Sequence, residues 1–260
     1  MKILQALTND FNTQLKAFQL LAAVLSVIGI VILIVNFSLT HLYTTIICAI
    51  LFSMIGVNVG LHRYFSHRSF DTTKTLAWFL GLLGTLSTTG RLISWVAIHR
   101  FHHVHTDTEL DPHSPKYIGW LRSFTFDYTR VYIDKKYVKD LMTNQTCLFF
   151  HKNCIDIIMI YIFLLAIIDP ILIIFAWGLP AGVAILGLGS ATLFGHTHGY
   201  VSHNTGDNSR NSWISSILSL GDGWHNNHHA HPYRYCQTEH WWELDPPAWI
   251  IWLIKKSSNK

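Results

Sequence analysis

The sequence predicts an all-α integral membrane protein with four transmembrane helices in two hairpins and a cytoplasmic, histidine-rich helical cap. Three observations support this fold class. The 260 residues are 50% hydrophobic and only 13% charged, with a mean hydropathy of +0.28, which is too apolar for a soluble domain. Four apolar runs are long enough to cross a bilayer. Finally, 17 residues are histidines, whereas average usage gives about six in a chain of this length.

The four apolar runs pair into two hairpins. The first pair covers residues 17–37 and 42–60, and its first run is too long for the apolar core of a secretory signal peptide. We therefore interpret that run as a retained anchor. The second pair covers residues 155–177 and 179–195, and the Trp-Gly-Leu-Pro sequence at residues 177–180 predicts the turn between them.

The basic residues predict the sidedness of these hairpins. All 19 Lys and Arg residues lie outside the two hairpins, in the N-terminus, in the segment between the hairpins or in the C-terminus. By the positive-inside rule, both termini are expected on the cytoplasmic side. The chain is thus predicted to be a single membrane domain over residues 1–260, with a cytoplasmic cap formed by residues 61–154 and 196–260.

Two further apolar segments are predicted not to span the membrane. Residues 76–98 contain Arg91 and three glycines, which favours a long interfacial or re-entrant helix. Residues 246–254 are too short to cross, and their tryptophans precede Lys255 and Lys256. That composition is typical of a helix lying at the membrane interface.

Charge and cysteine content exclude several classes of function. The net charge is only +4, and the basic residues form no stripe or groove-reading motif, so we expect no nucleic-acid partner. The four cysteines form no C-x-x-C pair, which argues against a disulfide framework and against a zinc knuckle.

The histidines form three clusters on the predicted cytoplasmic side. One is H-x-x-x-x-H at residues 62–67, and the others are H-x-x-H-H at residues 99–103 and 225–229. In a helix, positions i, i+3 and i+4 share one face, so each H-x-x-H-H can direct three imidazoles toward one point. His62 and His67 would lie about 140° apart on an ideal helix, which predicts a helix end between them. Eight such residues exceed the four ligands of a structural zinc and predict a dinuclear, all-histidine centre, for which iron is suitable.

Polar residues near the clusters are candidate partners for the outward-facing ring nitrogens of the ligands. For each of them, a solvated polar loop is the alternative interpretation. The candidates are Asp107, Asp111, Asp222, Asn226 and Asn227.

The clusters and their flanks resemble the membrane-bound fatty-acyl desaturases of the acyl-CoA (stearoyl-type, delta-9-like) desaturase family. The resemblance covers about residues 62–244 and rests on four motifs. A single H-x-x-H-H also occurs in alkane hydroxylases, sterol desaturases and carotenoid hydroxylases, whereas three clusters in this order with these flanks are specific. The motifs are His62-Arg63…Ser66-His67-Arg68-Ser69-Phe70, Trp95…His99-Arg100…His102-His103…Asp107…Asp111-Pro112-His113, Asp207-Asn208-Ser209-Arg210-Asn211 and Gly221…Gly223-Trp224-His225-Asn226-Asn227-His228-His229.

The resemblance implies O2-dependent introduction of a cis double bond into a long-chain fatty-acyl substrate, with a delta-9-like position, at two iron ions (Fe2+/Fe3+). O2 is then a co-substrate, and no catalytic residues beyond the metal ligands are implied. The implied ligands are His62, His67, His99, His102, His103, His196, His225, His228 and His229.

The ninth ligand, His196, belongs in the family to an N-x-x-x-H element, and this chain has Thr192 where the family has Asn. His198 and His203 are the alternatives for this ligand. The Thr192 hydroxyl could orient a metal-bound water as the amide would. The alternative is a hydrogen bond to its own i−4 carbonyl, that of Leu188.

The family also suggests residues that line an acyl tunnel. Trp95 matches a tryptophan at the bend of that tunnel, and an interfacial tryptophan is the alternative. Ile50 and Ile46 lie about 18 and 24 Å from His62 by helical rise, so we expect them near the tunnel end. The alternative for both is packing between helices.

The acyl carrier and the electron donor are separate questions. Ala97-Ile98 replaces an Arg-Asp pair that acyl-CoA enzymes often carry, so a fatty-acyl thioester (on CoA or carrier protein) and an acyl lipid both stay open as substrates. The sequence contains no haem, flavin or nucleotide fingerprint, and we expect membrane lipids and a separate donor protein of the ferredoxin, rubredoxin or cytochrome b5 type as partners.

Two competing functions remain on sequence grounds. A di-iron hydroxylase of an alkane, sterol or carotenoid would share the histidines and differ in its product. A histidine-rich metal transporter or sensor is the non-enzyme alternative, but transporters place ligands near the bilayer midplane, whereas these histidines lie at predicted span ends or in the cap.

Overall fold

The computed structural model describes residues 2–125 and 133–256, with side chains described from residue 15 onward. Within this part the protein is all-helical, with no strands and only isolated bridges at Tyr200–Asn211 and Asn211–Trp224. In chain order the helices are α1 (Lys2–Val35), α2 (Leu39–Ser66), α3 (Lys74–Leu86), α4 (Leu92–His105), α5 (Pro115–Ile118), α6 (Trp120–Phe124), α7 (Gln145–Lys152), α8 (Cys154–Ile168), α9 (Ile173–Phe194), α10 (Trp213–Leu218), α11 (His225–Ala230) and α12 (Pro246–Ile254), with a 3₁₀ turn at Lys135–Val138.

Three of these helices are long and apolar enough to cross a membrane: the Leu15–Val35 part of α1, α2 and α9. The pair α7 and α8, bent by 65°, makes a fourth span if it is counted as one. Large apolar side chains on α1 and α8 point outward; Ile34 is 77% exposed and Ile167 is 66% exposed. Such apolar exteriors are expected where a helix faces lipid. The protein is therefore a multi-pass membrane protein.

The turn of the second hairpin differs from the prediction. The chain turns at residues 169–172, and the predicted turn at residues 177–180 lies inside a helix. Asp169 has an extended backbone (φ −162°, ψ 118°), as the residue before a proline prefers, and its side chain accepts a hydrogen bond from the N–H of Ile171.

Helix α9 continues through Pro180 because the missing N–H is compensated nearby. Residues Ile173–Gly178 wind as a π-helix, and two hydroxyls reach the carbonyls of that turn. Thr45 donates to the carbonyl of Phe175 at 3.3 Å, and Tyr161 donates to the carbonyl of Ala176 at 3.2 Å. A proline inside a membrane helix is tolerated when neighbouring side chains satisfy the freed groups in this way.

The segment predicted as one helix over residues 76–98 is two helices, α3 and α4, with a break at residues 87–91. The break contains Thr88 at φ 63°, a left-handed conformation that ends a helix. Gln19 of α1 donates to the carbonyl of Thr88 at 3.0 Å. The predicted helix over residues 246–254 is present as α12.

Helices α2 and α3 approach each other closely near the histidines. A Cβ added at Gly56 would lie 2.6 Å from the backbone carbonyl of Leu83, and one added at Gly84 would lie 2.9 Å from Leu61. Small residues permit this backbone contact between membrane helices. The contact fixes the position of the histidine-bearing end of α2.

Candidate metal centre

The nine histidines that the resemblance implies lie together and form two sets. In each set, one nitrogen from every ring lies within 4.8 Å of the others. The five-histidine set is His62, His67, His99, His103 and His228, and the four-histidine set is His102, His196, His225 and His229.

Each H-x-x-H-H cluster contributes to both sets, so the expectation that its three rings point to one place is wrong. In α4, His99 and His103 belong to the five-histidine set and His102 to the other; in α11, His225 and His229 belong to the four-histidine set and His228 to the other. At 3.6 residues per turn, positions i and i+4 lie about 40° apart, whereas i+3 and i+4 lie about 100° apart. The i+3 ring therefore faces a second point.

The predicted helix end between His62 and His67 is present, but it lies at Ser66 and not at His62. Residues Ile50–Ser66 of α2 wind as a π-helix, and the N–H of His67 donates to the carbonyl of His62 at 3.1 Å. In this i→i+5 winding the two residues lie one above the other. Their ring centroids are 4.9 Å apart, so both rings reach the five-histidine set.

Four carboxylates lie behind the rings, each near the Nδ1 atom of one histidine. The sequence-based candidates Asp222, Asp111 and Asp107 are among them. Asp207 is the fourth and was not predicted in this role, although it belongs to a family-like motif and is an acid in the same cap. The distances are 2.7 Å for His62–Asp222, 2.9 Å for His102–Asp111, 3.0 Å for His196–Asp107 and 2.9 Å for His229–Asp207.

Two of these carboxylates, Asp107 and Asp207, are held in the charged form. Burial by itself would raise the pKa of Asp107, but the hydrogen bonds from His196 and Ser114 hold that pKa well below its usual range. For Asp207, burial is likewise outweighed by the hydrogen bond from His229, and its pKa is also lowered. A charged carboxylate accepts the Nδ1–H and leaves Nε2 of the same ring as a lone-pair donor toward a metal.

The residues present fit a pair of cations. His102 and His229 both give their Nδ1–H to carboxylates, so neither Nε2 carries a hydrogen, yet these two Nε2 atoms face each other at 3.3 Å. Burial and neighbouring imidazoles lower the pKa of His102 well below its usual value, so protonation of this ring does not account for the short distance between the two Nε2 atoms. A cation bound by both Nε2 atoms would account for it.

The five-histidine set has the spacing of coordinating atoms. Its Nε2 contacts are 2.7 Å for His67–His99, 3.1 Å for His99–His103, 3.0 Å for His103–His228 and 3.0 Å for His228–His62. Metal–nitrogen bonds of about 2.1 Å at right angles put neighbouring ligands about 3 Å apart. The set thus matches one ion with high coordination number.

Two predicted partners of the ligands, Asn226 and Asn227, point away from the rings. Asn226 accepts from the N–H groups of Ser202 and His203, and Asn227 donates to Glu243 and to the carbonyl of Gln237. The reason is that α11 turns its histidine face to the metals, so the intervening asparagines lie on its opposite face. They hold the adjoining loops to α11.

A cavity lies against the metal centre between α1, α4 and α9. Rings of both sets line it, together with apolar side chains that include Leu15, Ile98 and Leu188. Trp95 lines it too, and its ring stacks on His99 with centroids 5.1 Å apart. A largely apolar cavity beside a metal centre is suited to a hydrocarbon chain.

Thr192 lines the same cavity. Its hydroxyl donates to the carbonyl of Gly189 at 3.0 Å and lies 3.2 Å from the carbonyl of Ser123. The bond is therefore to the i−3 residue and not to Leu188. Because the proton is engaged, the hydroxyl can only accept a hydrogen bond from a water in the cavity.

Ile46 and Ile50, the residues predicted near the end of an acyl tunnel, do not line this cavity. Ile46 is 44% exposed and Ile50 is 36% exposed. The winding of α2 changes from α-helical to π-helical at Ile50. Residues on the face of His62 therefore cannot be identified over the whole helix by counting with a single helical period.

An all-helical membrane protein with two buried histidine sets, carboxylates behind them and an apolar cavity in front belongs to the class of membrane oxidoreductases with a histidine-ligated dinuclear centre. The chain is a member of the fatty acid desaturase family, whose profile matches residues 36–252.

Similar proteins agree with this assignment. The chain is 35% identical to an sn-1 stearoyl-lipid 9-desaturase of Synechocystis sp., over 78% of this chain and 64% of that protein. It is 33% identical to Delta-9 acyl-lipid desaturase 1 of Arabidopsis thaliana (76% of this chain, 67% of that protein) and 33% identical to an acyl-CoA C20 Delta5-desaturase of Anemone leveillei (80% and 70%). The match spans less than two thirds of the Synechocystis protein's length.

Proposed function

We propose that the protein introduces a cis double bond at the delta-9 position of a long-chain acyl group carried by a membrane glycerolipid. The observation that carries this proposal is the apolar cavity that ends on rings of both histidine sets. Delta-9 position and lipid carrier are favoured by the names of the Synechocystis and Arabidopsis relatives. The Anemone relative, which acts on acyl-CoA, makes the carrier the first point to test.

Each histidine set would hold one iron ion, with the five-histidine set and the four-histidine set serving the two ions of a pair. When bound, the irons supply the O2-dependent oxidation of an unactivated C–H bond, which no side chain can perform. Three of the carboxylates accept hydrogen bonds that fix the tautomers and the ring orientations of His102, His196 and His229, and Asp222 lies beside His62.

The cavity residues would position the chain and exclude water. Trp95 is 8% exposed and its ring stacks on His99, so an acyl chain beside it would contact a rigid apolar wall next to the metals. Leu15 of α1 and Leu188 of α9 line the same cavity from other sides. Removing water from such a site keeps the oxidant from other reactions.

The sidedness and the donor belong to the same proposal. The distribution of Lys and Arg supports a cytoplasmic position for both termini and for the metal centre. Electrons would come from a separate protein of the ferredoxin, rubredoxin or cytochrome b5 type.

The test is expression in a host that lacks its own desaturase, with double bonds located in every lipid class after a short pulse of labelled stearate. We expect delta-9 unsaturation to occur first in glycerolipids and to be absent with His228→Ala. Label that becomes unsaturated first in acyl-CoA would overturn the carrier, and hydroxylated products without double bonds would overturn the reaction.

A further inference from the structure

A third group of metal-type side chains lies outside the nine-histidine centre. It consists of His203, His231 and Glu239, and one donor atom from each lies within 4.8 Å of the others. The ring centroids of His203 and His231 are 5.1 Å apart. These three residues are partly or fully exposed, whereas both sets of the inner centre are largely buried.

The His203 ring carries the observation that points to a ligand. Its Nε2 atom is buried and has no hydrogen-bond partner among the described residues. The nearest carboxylate oxygen, on Glu239, is 3.8 Å away, which is too far for a hydrogen bond. In a tetrahedral site with bonds of about 2.1 Å, ligand atoms lie about 3.4 Å apart. A small movement of the Glu239 side chain toward His203 would bring the two atoms to that distance.

The group is held by the scaffold of the third histidine cluster. Asn226 accepts from the backbone N–H of His203 and donates to its carbonyl, at 2.8 and 3.0 Å. The N–H of His231 donates to the carbonyl of Asn227 at 3.0 Å, at the end of α11. Glu239 donates its backbone N–H to Glu243, which itself accepts from Asn227. All three donors are thus fixed to the two asparagines that face away from the metal centre.

We propose that His203, His231 and Glu239 form a third, exchangeable site for a divalent first-row transition ion, such as Zn2+ or Fe2+. Two imidazoles and one carboxylate with open positions suit both ions. A bound ion would join the loop of His203 to the loop of residues 231–243 across α11. The site does not depend on the chemistry at the inner centre.

Arg234 is the built-in competitor for this site. Its Nη1 atom lies 2.6 Å from Oε1 of Glu239, and its side chain is 52% exposed. A metal that takes this carboxylate oxygen must displace the guanidinium. Removing the charge of Arg234 should therefore strengthen binding of the metal ion. A surface cluster of ion pairs without a metal site would show no such increase in affinity.

The test is a Zn2+ titration of the iron-loaded, full-length protein in detergent, purified without a histidine tag, with Zn2+ and iron per chain measured after removal of free metal. We expect one Zn2+ per chain without loss of iron. His203→Ala and His231→Ala should weaken binding about tenfold or more, since even loss of a group behind a ligand has effects of about that size. Arg234→Gln should strengthen it.

His198→Ala is the matched control, because His198 is an exposed histidine of the same loop outside the group and should leave Zn2+ binding unchanged. Iron content reports the fold of each variant and the integrity of the inner centre. Absence of stoichiometric Zn2+ in the wild type, or equal Zn2+ affinity in wild type, His203→Ala and Arg234→Gln, would overturn the third site and leave the desaturase proposal untouched.

Discussion

At the scale of single residues, orientation of the imidazoles depends on the acids behind them. Asp207 is the clearest case, because its Oδ1 atom accepts from Thr205 and from the N–H of Ser209 while Oδ2 accepts from His229. One carboxylate thereby joins the loop before α10 to the four-histidine set. Such outer partners usually matter almost as much as the ligands.

We predict that Asp207→Asn weakens iron binding by about 10- to 100-fold, the range typical for partners of metal-ligating histidines. The amide keeps an acceptor and the shape of the side chain but removes the charge that makes the His229 ring a stronger ligand. The measurement is the rate and extent of iron loss to a competing chelator. Glu109→Gln, at an exposed acid two residues from Asp111, is the control, and equal iron retention in both variants would contradict the role of Asp207.

At the scale of elements, the winding of α2 and its contact with α3 bring His62 and His67 to the metals. The π-helical winding gives the pair its shared direction, and the close approach at Gly56 holds α2 against the backbone of Leu83. A Cβ at this position meets backbone atoms that cannot rotate away. The element is thus sensitive to one methyl group.

We predict that Gly56→Ala lowers the stability of the protein in detergent by about 1–3 kcal/mol, the usual cost of overpacking, and reduces iron content with it. Gly29→Ala is the matched control in α1, where a Cβ meets only side-chain carbons of Ile174, Leu179 and Phe175. The measurement is the thermal midpoint together with iron per chain. A normal midpoint for Gly56→Ala would show that α2 and α3 can separate without consequence for the site.

The elements also mark the limits of prediction from the sequence. The sequence predicted that the three histidine clusters lie together, because the positions of Lys and Arg place all three clusters on the same side of the membrane. It did not predict that each H-x-x-H-H divides its histidines between the two sets. Spacing along one helix gives the directions of its side chains but not the positions of the side chains on neighbouring helices. Nor did the sequence predict the helix through Pro180, which depends on hydroxyls of Thr45 and Tyr161 from other helices.

At the scale of the whole molecule, helices α2, α4 and α11 and the turns after α2 and α9 bring the two histidine sets to one place, with a largely apolar cavity beside them. The composition predicted the membrane-embedded helices, and the motifs predicted the nine histidines. Ile46 and Ile50 do not line the cavity at the metals, and their predicted place at the tunnel end depended on a helical phase extended over more than three turns. Local spacing was informative, whereas long-range phase was not.

Iron content per chain tests the central claim most directly. The full-length protein, produced with surplus iron and purified without a histidine tag, should contain two iron ions by elemental mass spectrometry. His225→Ala removes a ligand of the four-histidine set only and should lower the content toward one while the protein stays folded. A folded wild-type protein with a single iron, or a His225→Ala variant that keeps both with equal affinity, would contradict the two-set centre.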